Sequence, residues 1–200
     1  MKGKAYANRK KESDRPSNDF YETPSALVIE LLESGLFPQT PWYPNKPKDL
    51  KIFDPCCGKY AIGNVLRRYG YENITEKDLM YGYDFLKDES DEQYDCIIMN
   101  PPFKLFDEFV KKAKKIAKYV FCIGKMNYFG AHSRNVEGLW NGLRLVLPFD
   151  RMIAYDQPED EEGKVGVGMM VTAFFFWDRD FKELPVIKVL DVQKYIRSKK

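Results

Sequence analysis

The stretch DCIIMNPPFKLF, Asp95–Phe106, closes an apolar run on Asn100, Pro101, Pro102 and Phe103. Two successive prolines end ladder pairing, and an asparagine at a buried exit has to be satisfied. These residues answer to something other than folding. Two further strand ends carry groups of the same kind. Asp54 closes an apolar run and is followed by PCCGKYAIG, a turn in which Gly58 lets the backbone approach a ligand. Asp78 or Glu76 closes the next run, a usual place for a carboxylate that accepts from ribose hydroxyls. Carboxylates and a glycine turn at successive strand ends imply a cofactor that contains a nucleoside. The turn is neither GxGxxG nor a P-loop, since no Gly-Lys-Ser/Thr follows.

Positioning such ends requires strands that alternate with helices. LKIFD, ENITEKDL, YDCIIMN, YVFCIG, RMIAY and MMVTAFFFW read as strands. NVLRRYG and the segment near 104–118 read as helices between them, and the second of these carries Lys111, Lys112, Lys114, Lys115 and Lys118. That lysine face is read either as solvated surface or as a track for phosphates. An earlier helix starts at Thr23 as N-cap with Pro24 in its first turn, and Gly35 stops it. The pattern predicts an α/β fold with a mostly parallel sheet and helices on both faces. The last two strands, RMIAY and MMVTAFFFW, are expected to pair as an antiparallel hairpin across an acidic, solvated loop.

Residues 1–18 are polar and basic and read as a mobile tail; residues 19–200 read as a single domain without a separate target-recognition unit. With 44% hydrophobic and 31% charged residues, the chain falls in the globular class rather than the disordered or membrane classes. No apolar run approaches the roughly 20 residues of a spanning helix. Four cysteines without CxxC spacing and a single histidine argue against zinc and for a reduced, cytosolic protein. A net charge of +2 neither demands nor excludes a nucleic-acid partner.

In combination, DPCCG at 54–58, YDFL at 83–86 and NPPF at 100–103 resemble the amino-methyltransferases that use S-adenosylmethionine. The chain looks most like DNA adenine-N6 methyltransferases of small bacteriophage type, with FYETP at 20–24 similar to their upstream cofactor-binding segment. The resemblance implies a Rossmann-like methyltransferase fold with a mostly parallel seven-stranded sheet, S-adenosylmethionine as cofactor, and DNA as partner in the cytoplasm of a bacterium or a phage-infected host. It implies that Tyr21 and Thr23 cover the methionine part of the cofactor, with Asp54, Cys56 and Gly58 near it. Asp78, with Glu76 as the alternative, would hold the ribose, and Asp84 and Phe85 the adenine. Asn100, Pro101, Pro102 and Phe103 would be the catalytic set.

The chemistry suits that set. An exocyclic amine on adenine is a poor nucleophile because its lone pair is delocalised into the ring. The Asn100 amide oxygen and the Pro101 carbonyl, held in direction by Pro102, would favour a pyramidal nitrogen with developing positive charge. Phe103 would stack on the base, which a duplex has to flip out. One departure stands out: Tyr60 occupies the position of the family's second turn glycine, where a side chain would crowd the methionine part. Gly63 is the residue available to restore freedom. Other readings are an RNA amine or a protein amide as acceptor, or a silent cofactor- or DNA-binding module. The short chain also calls for loose specificity or a partner subunit for target recognition.

Overall fold

The computed structural model describes residues 22–37, 49–155 and 157–197. The basic tail, Tyr21 and nearly all of the proline-rich connection at 38–49 lie outside them. Strands β1 (Ile52–Asp54), β2 (Ile74–Glu76), β3 (Tyr94–Met99), β4 (Ala117–Lys125), β5 (Leu143–Pro148), β6 (Thr172–Asp178) and β7 (Val186–Ile187) form one sheet in the order β2-β1-β3-β4-β6-β5-β7. All its pairings are parallel except those of β6, which runs against both β4 and β5.

Period-two burial divides the core between the faces. Ile52, Cys96, Ile98, Phe121 and Phe174 point to one side, beneath helices α1 (Ser25–Glu33) and α2 (Ala61–Arg68). Phe53, Ile97, Met99, Val120, Phe175 and Trp177 point to the other, where α3 (Phe106–Ile116) packs through Phe106, Phe109, Val110 and Ala113. A short helix, α4 (His132–Val136), joins β4 to β5. No helix among the described residues is long and apolar enough to cross a membrane.

Four expectations need correction. The antiparallel hairpin exists, but its first strand is Leu143–Pro148 rather than RMIAY. Residues 151–155 lie in the connection, where Ile153 bridges Val167 and Val165 bridges Ile196 outside the main sheet. Thr23 does not cap α1, whose N-cap position is Pro24 with no side-chain hydrogen bond of its own.

The cap comes instead from the acidic loop. Glu159 accepts from the Ala26 N–H at 3.2 Å, and the Ser25 hydroxyl lies 2.9 and 2.8 Å from its two carboxylate oxygens. A carboxylate there satisfies orphan donors and meets the positive end of the helix dipole. The loop is therefore not merely solvated. Glu159→Ala is expected to cost about 1 kcal/mol, lowering the thermal midpoint by roughly 2–4 °C, as calorimetry would show.

The lysine face of α3 is not a free phosphate track. Lys111 pairs with Glu137, and Lys114 donates to the carbonyls of Leu139 and Asn141 at 3.0 and 2.8 Å. Within the helix Lys112 donates to the carbonyls of Phe85 and Asp88, and just past it Lys118 pairs with Asp180 at 3.2 Å.

Candidate active site

In a parallel sheet the strands present their carboxyl ends on one rim, where loops leave for the covering helices. Here the exits of β1, β2 and β3 enclose a cavity of about 410 Å³. Its walls include Cys56 after β1, Asp78, Leu79 and Met80 after β2, the turn Tyr83–Lys87, and Asn100 and Pro102 after β3. Leu105 and Phe109 close it from α3 and the turn before it. An apolar enclosure with a few convergent polar groups is the usual form of a small-molecule site.

The turn after β1 is tied to the turn after β2. Gly58 donates its N–H to Asp78 Oδ2 at 2.8 Å, and Met80 donates to Asp78 Oδ1 at 2.8 Å. Asp78 thereby fixes both turns while its remaining lone pairs stay available to a ligand. Glu76 is placed differently. It pairs with Arg67 and lies against Gly63, where an added Cβ would come within 1.9 Å of its Oε1. Between the two acids, Asp78 is the one that lines the cavity. Gly63 makes room for the Glu76 carboxylate inside α2 and does not loosen the turn.

Tyr60 resolves the departure noted above. Its backbone is left-handed, φ 66° and ψ 23°, the conformation for which a glycine would be favoured. The ring does not line the cavity; it stacks on Tyr81 at 5.5 Å with the planes 10° apart. The Tyr81 hydroxyl donates to the Gly58 carbonyl at 3.1 Å, and its hydrogen bond with Tyr60 pushes its pKa up to about 12. Left-handed backbone costs an ordinary residue about 1–2 kcal/mol, while an aromatic pair returns about 0.5–1.5 kcal/mol. Tyr60→Gly is therefore expected to change stability by less than about 1 kcal/mol in a urea titration, since it removes both terms. Tyr60→Ala keeps the strain without the stack and is expected to be the less stable variant.

Asp54 is the most confined acid. It is buried, accepts from the Cys56 N–H at 3.1 Å through Oδ1, and leaves Oδ2 buried without a hydrogen-bond partner. Burial raises its pKa well above the usual carboxylate range, and the nearby Glu76 and Asp78 carboxylates add to the rise against the Cys56 hydrogen bond. Cys56 lines the cavity, with its thiol pKa pushed up by burial. Asp84, at the cavity wall, accepts from the Leu86 N–H at 3.1 Å and pairs with Lys87 at 2.8 Å; Lys87 holds its pKa low.

Six residues named from the sequence thus line one cavity: Cys56, Asp78, Asp84, Phe85, Asn100 and Pro102. Asp54 and Gly58 flank it through the turn. Glu22, paired with Lys59 at 3.8 Å, brings the start of the described chain against the same turn, while Thr23 is buried off the cavity wall and Tyr21 lies outside the described residues. Pro101 does not line the cavity, and the Phe103 ring is buried in the core, edge-on to Tyr155 with the Lys125 ammonium 4.6 Å from its centre. The backbone after Asn100 is braced from behind, since Tyr128 donates its hydroxyl to the Phe103 carbonyl at 2.9 Å. Leu79, Met80, Leu105 and Phe109 are lining residues that the sequence did not single out. Phe109 carried a signal, but as a core position of a helix.

Solved structures share this architecture. A Pyrococcus horikoshii protein assigned as an RNA methyltransferase superposes with a TM-score of 0.55 at 15% identity, covering 79% of this chain and 85% of its own. The methyltransferase subunit of a Streptococcus thermophilus type I restriction-modification system gives 0.58 at 10% identity over 92% of this chain. The M protein of the restriction enzyme EcoKI gives 0.51 at 13% identity over 81%. The fold is the Rossmann-like methyltransferase fold. This methyltransferase-fold chain spans 50% and 44% of the two restriction-system subunits. No family model matches its sequence, and no curated protein does.

Proposed function

We propose that the chain is an S-adenosylmethionine-dependent methyltransferase acting on the exocyclic N6 amine of adenine in DNA. One observation carries the reading: Asn100 and Pro102 line one cavity with Asp78, Asp84 and Phe85. The donor set fits the cofactor. The orphaned Oδ2 of Asp54, beside a cavity whose other carboxylates are Asp78 and Asp84, suits a ligand that carries positive charge.

When bound, S-adenosylmethionine supplies an electrophilic methyl group. Asp54 and Gly58 hold its methionine end, Asp78 its ribose, and Asp84 with Phe85 its base. Asn100 and the Pro101 carbonyl accept from the target amine and favour the charge that develops on nitrogen, while Pro102 sets the direction of that carbonyl. No general base would be required before attack, because the nitrogen would release its proton to solvent only after the methyl–sulfur bond had given way to the methyl–nitrogen bond. Phe103, whose ring is buried in the core off the cavity, has no part in stacking on the base in this reading. Tyr60 does not oppose the reading, since its ring lies outside the cavity.

Two of the similar structures belong to type I restriction-modification systems, which supports DNA as acceptor and a partner subunit for target recognition. The Pyrococcus likeness keeps an RNA amine as the second reading. Incubation with tritiated S-adenosylmethionine and either unmethylated DNA or structured RNA separates them. Label recovered as N6-methyladenine in DNA supports the first reading, and label in RNA alone replaces it with the second. Cofactor binding without transfer to either would overturn both.

A further inference from the structure

Lys112 is the lysine of α3 that reaches the cavity wall. Its ammonium donates to two carbonyls, Phe85 and Asp88, and sits 5.0 Å from the centre of the Phe85 ring. The Phe85 carbonyl belongs to the turn that forms the cavity wall from Tyr83 to Lys87, and the Asp88 carbonyl follows directly after it. The turn is a single helical loop, with the N–H groups of Lys87 and Asp88 donating to the Asp84 carbonyl at 3.1 and 3.0 Å. Such a loop leaves its later carbonyls without internal partners, and a cation at that end satisfies them. The opposite edge of the turn is fixed by Asp88, which accepts from the Tyr83 hydroxyl at 2.5 Å and the Ser90 N–H at 3.1 Å. With Lys112 in place, the Asp84 carboxylate and the Phe85 ring are held as one rigid wall.

We infer that Lys112 is a positioning residue that sets selectivity for a purine carrying an exocyclic amine, by fixing the Asp84–Phe85 wall. The inference rests on the cofactor reading above. Its reasoning is geometric: an amine is distinguished from a ring carbonyl only if the accepting carboxylate cannot swing away. A lysine reaching two carbonyls across about 25 residues of sequence is a brace of that kind, and its ring contact with Phe85 couples the apolar wall to the same brace.

The test compares S-adenosylhomocysteine with S-inosylhomocysteine, in which a ring carbonyl replaces the amine, by calorimetry on the full chain. Wild type is expected to prefer the amine-bearing ligand, and Lys112→Met to lose about 10-fold of that preference. Lys112→Arg, which keeps the charge and the donors, is expected to retain most of it. Lys112→Gln serves if the methionine variant does not fold. In an Asp84→Ala background, where the accepting group is already gone, Lys112→Met is expected to leave the preference unchanged. Equal loss for both ligands in Lys112→Met would make the lysine a general stabiliser and overturn the inference. A wild type that prefers the amine, with Lys112→Met unchanged, would overturn it while sparing the cofactor reading. If wild type binds neither ligand, the cofactor reading fails and takes the inference with it.

Discussion

Asn100→Ala is expected to lower methyl transfer by about 10²–10³-fold while leaving affinity for S-adenosylmethionine within a few-fold of wild type. The asymmetry follows from place. Asn100 stands at the exit of β3, where it lines the cavity with Asp84 and Phe85, and nothing in the proposed cofactor contacts requires its side chain. A preorganised acceptor matters most when the amine begins to carry positive charge, so its loss falls on the transition state. The expected signature is a fall in kcat and kcat/KM together, with little change in cofactor Kd. Asn100→Asp supplies an acceptor of the same shape and is expected to keep more activity than alanine. A large loss of cofactor affinity with the turnover rate spared would instead make Asn100 part of the cofactor wall.

Asp54→Asn should separate stability from binding. The carboxylate is buried, one oxygen has no partner, and its pKa in the folded chain lies well above 3.8. Between 3.8 and that raised value the folded state binds more protons than the unfolded one, so stability falls as pH rises through the window. Above it the destabilisation is fully present. Removing the charge is therefore expected to stabilise the ligand-free protein above that raised pKa by about 1–3 kcal/mol and to flatten that part of its pH profile. The same change takes away the partner of a cationic ligand group, weakening cofactor binding by about 10–100-fold. Wild-type affinity should also fall as pH drops through the raised pKa, because the ligand then meets a neutral acid. Unfolding titrations and calorimetry over a pH series check both halves. A destabilised Asp54→Asn protein would mean that the charge is compensated in the folded chain.

Much of this site was legible because its residues sit at the ends of short apolar strands, where a polar residue has no packing reason to be. Asp54 closes such a strand and Asp78 and Asn100 follow theirs; the latter two line the cavity, and Asp54 flanks it through the turn. What escaped detection was non-local. The cap on α1 is a glutamate 134 residues beyond Ser25, while the adjacent Thr23 supplied a plausible local cap that the chain does not use. LRLVLP and RMIAY are both short apolar runs that contain an arginine. Only pairing with β6 makes the first a sheet strand, and that pairing depends on a partner some thirty residues away. The lysines of α3 looked alike in sequence, and their differences lie in which carbonyl or carboxylate stands opposite. Tyr60 concealed a glycine-like conformation behind a ring, with the compensating stack on Tyr81 supplied by another loop.

The position of β6 has a consequence for how the chain is made. It lies between β4 and β5, although it is synthesised after both. During elongation β4 can pair with β3 as soon as residue 125 is out, but its other edge, Tyr119–Lys125, waits for residues 172–178. Until then that edge presents an unpaired, largely apolar strand, the kind of surface on which nascent chains associate. β5 has no sheet partner earlier in the sequence, so it docks only with or after β6. Assembly of this half of the sheet is thus a single late event, dominated by contacts distant in sequence, and slow for that reason. A ribosome-stalled chain ending before residue 172 should hold the β1–β4 half in place and be captured by chaperones at the edge that β6 later covers.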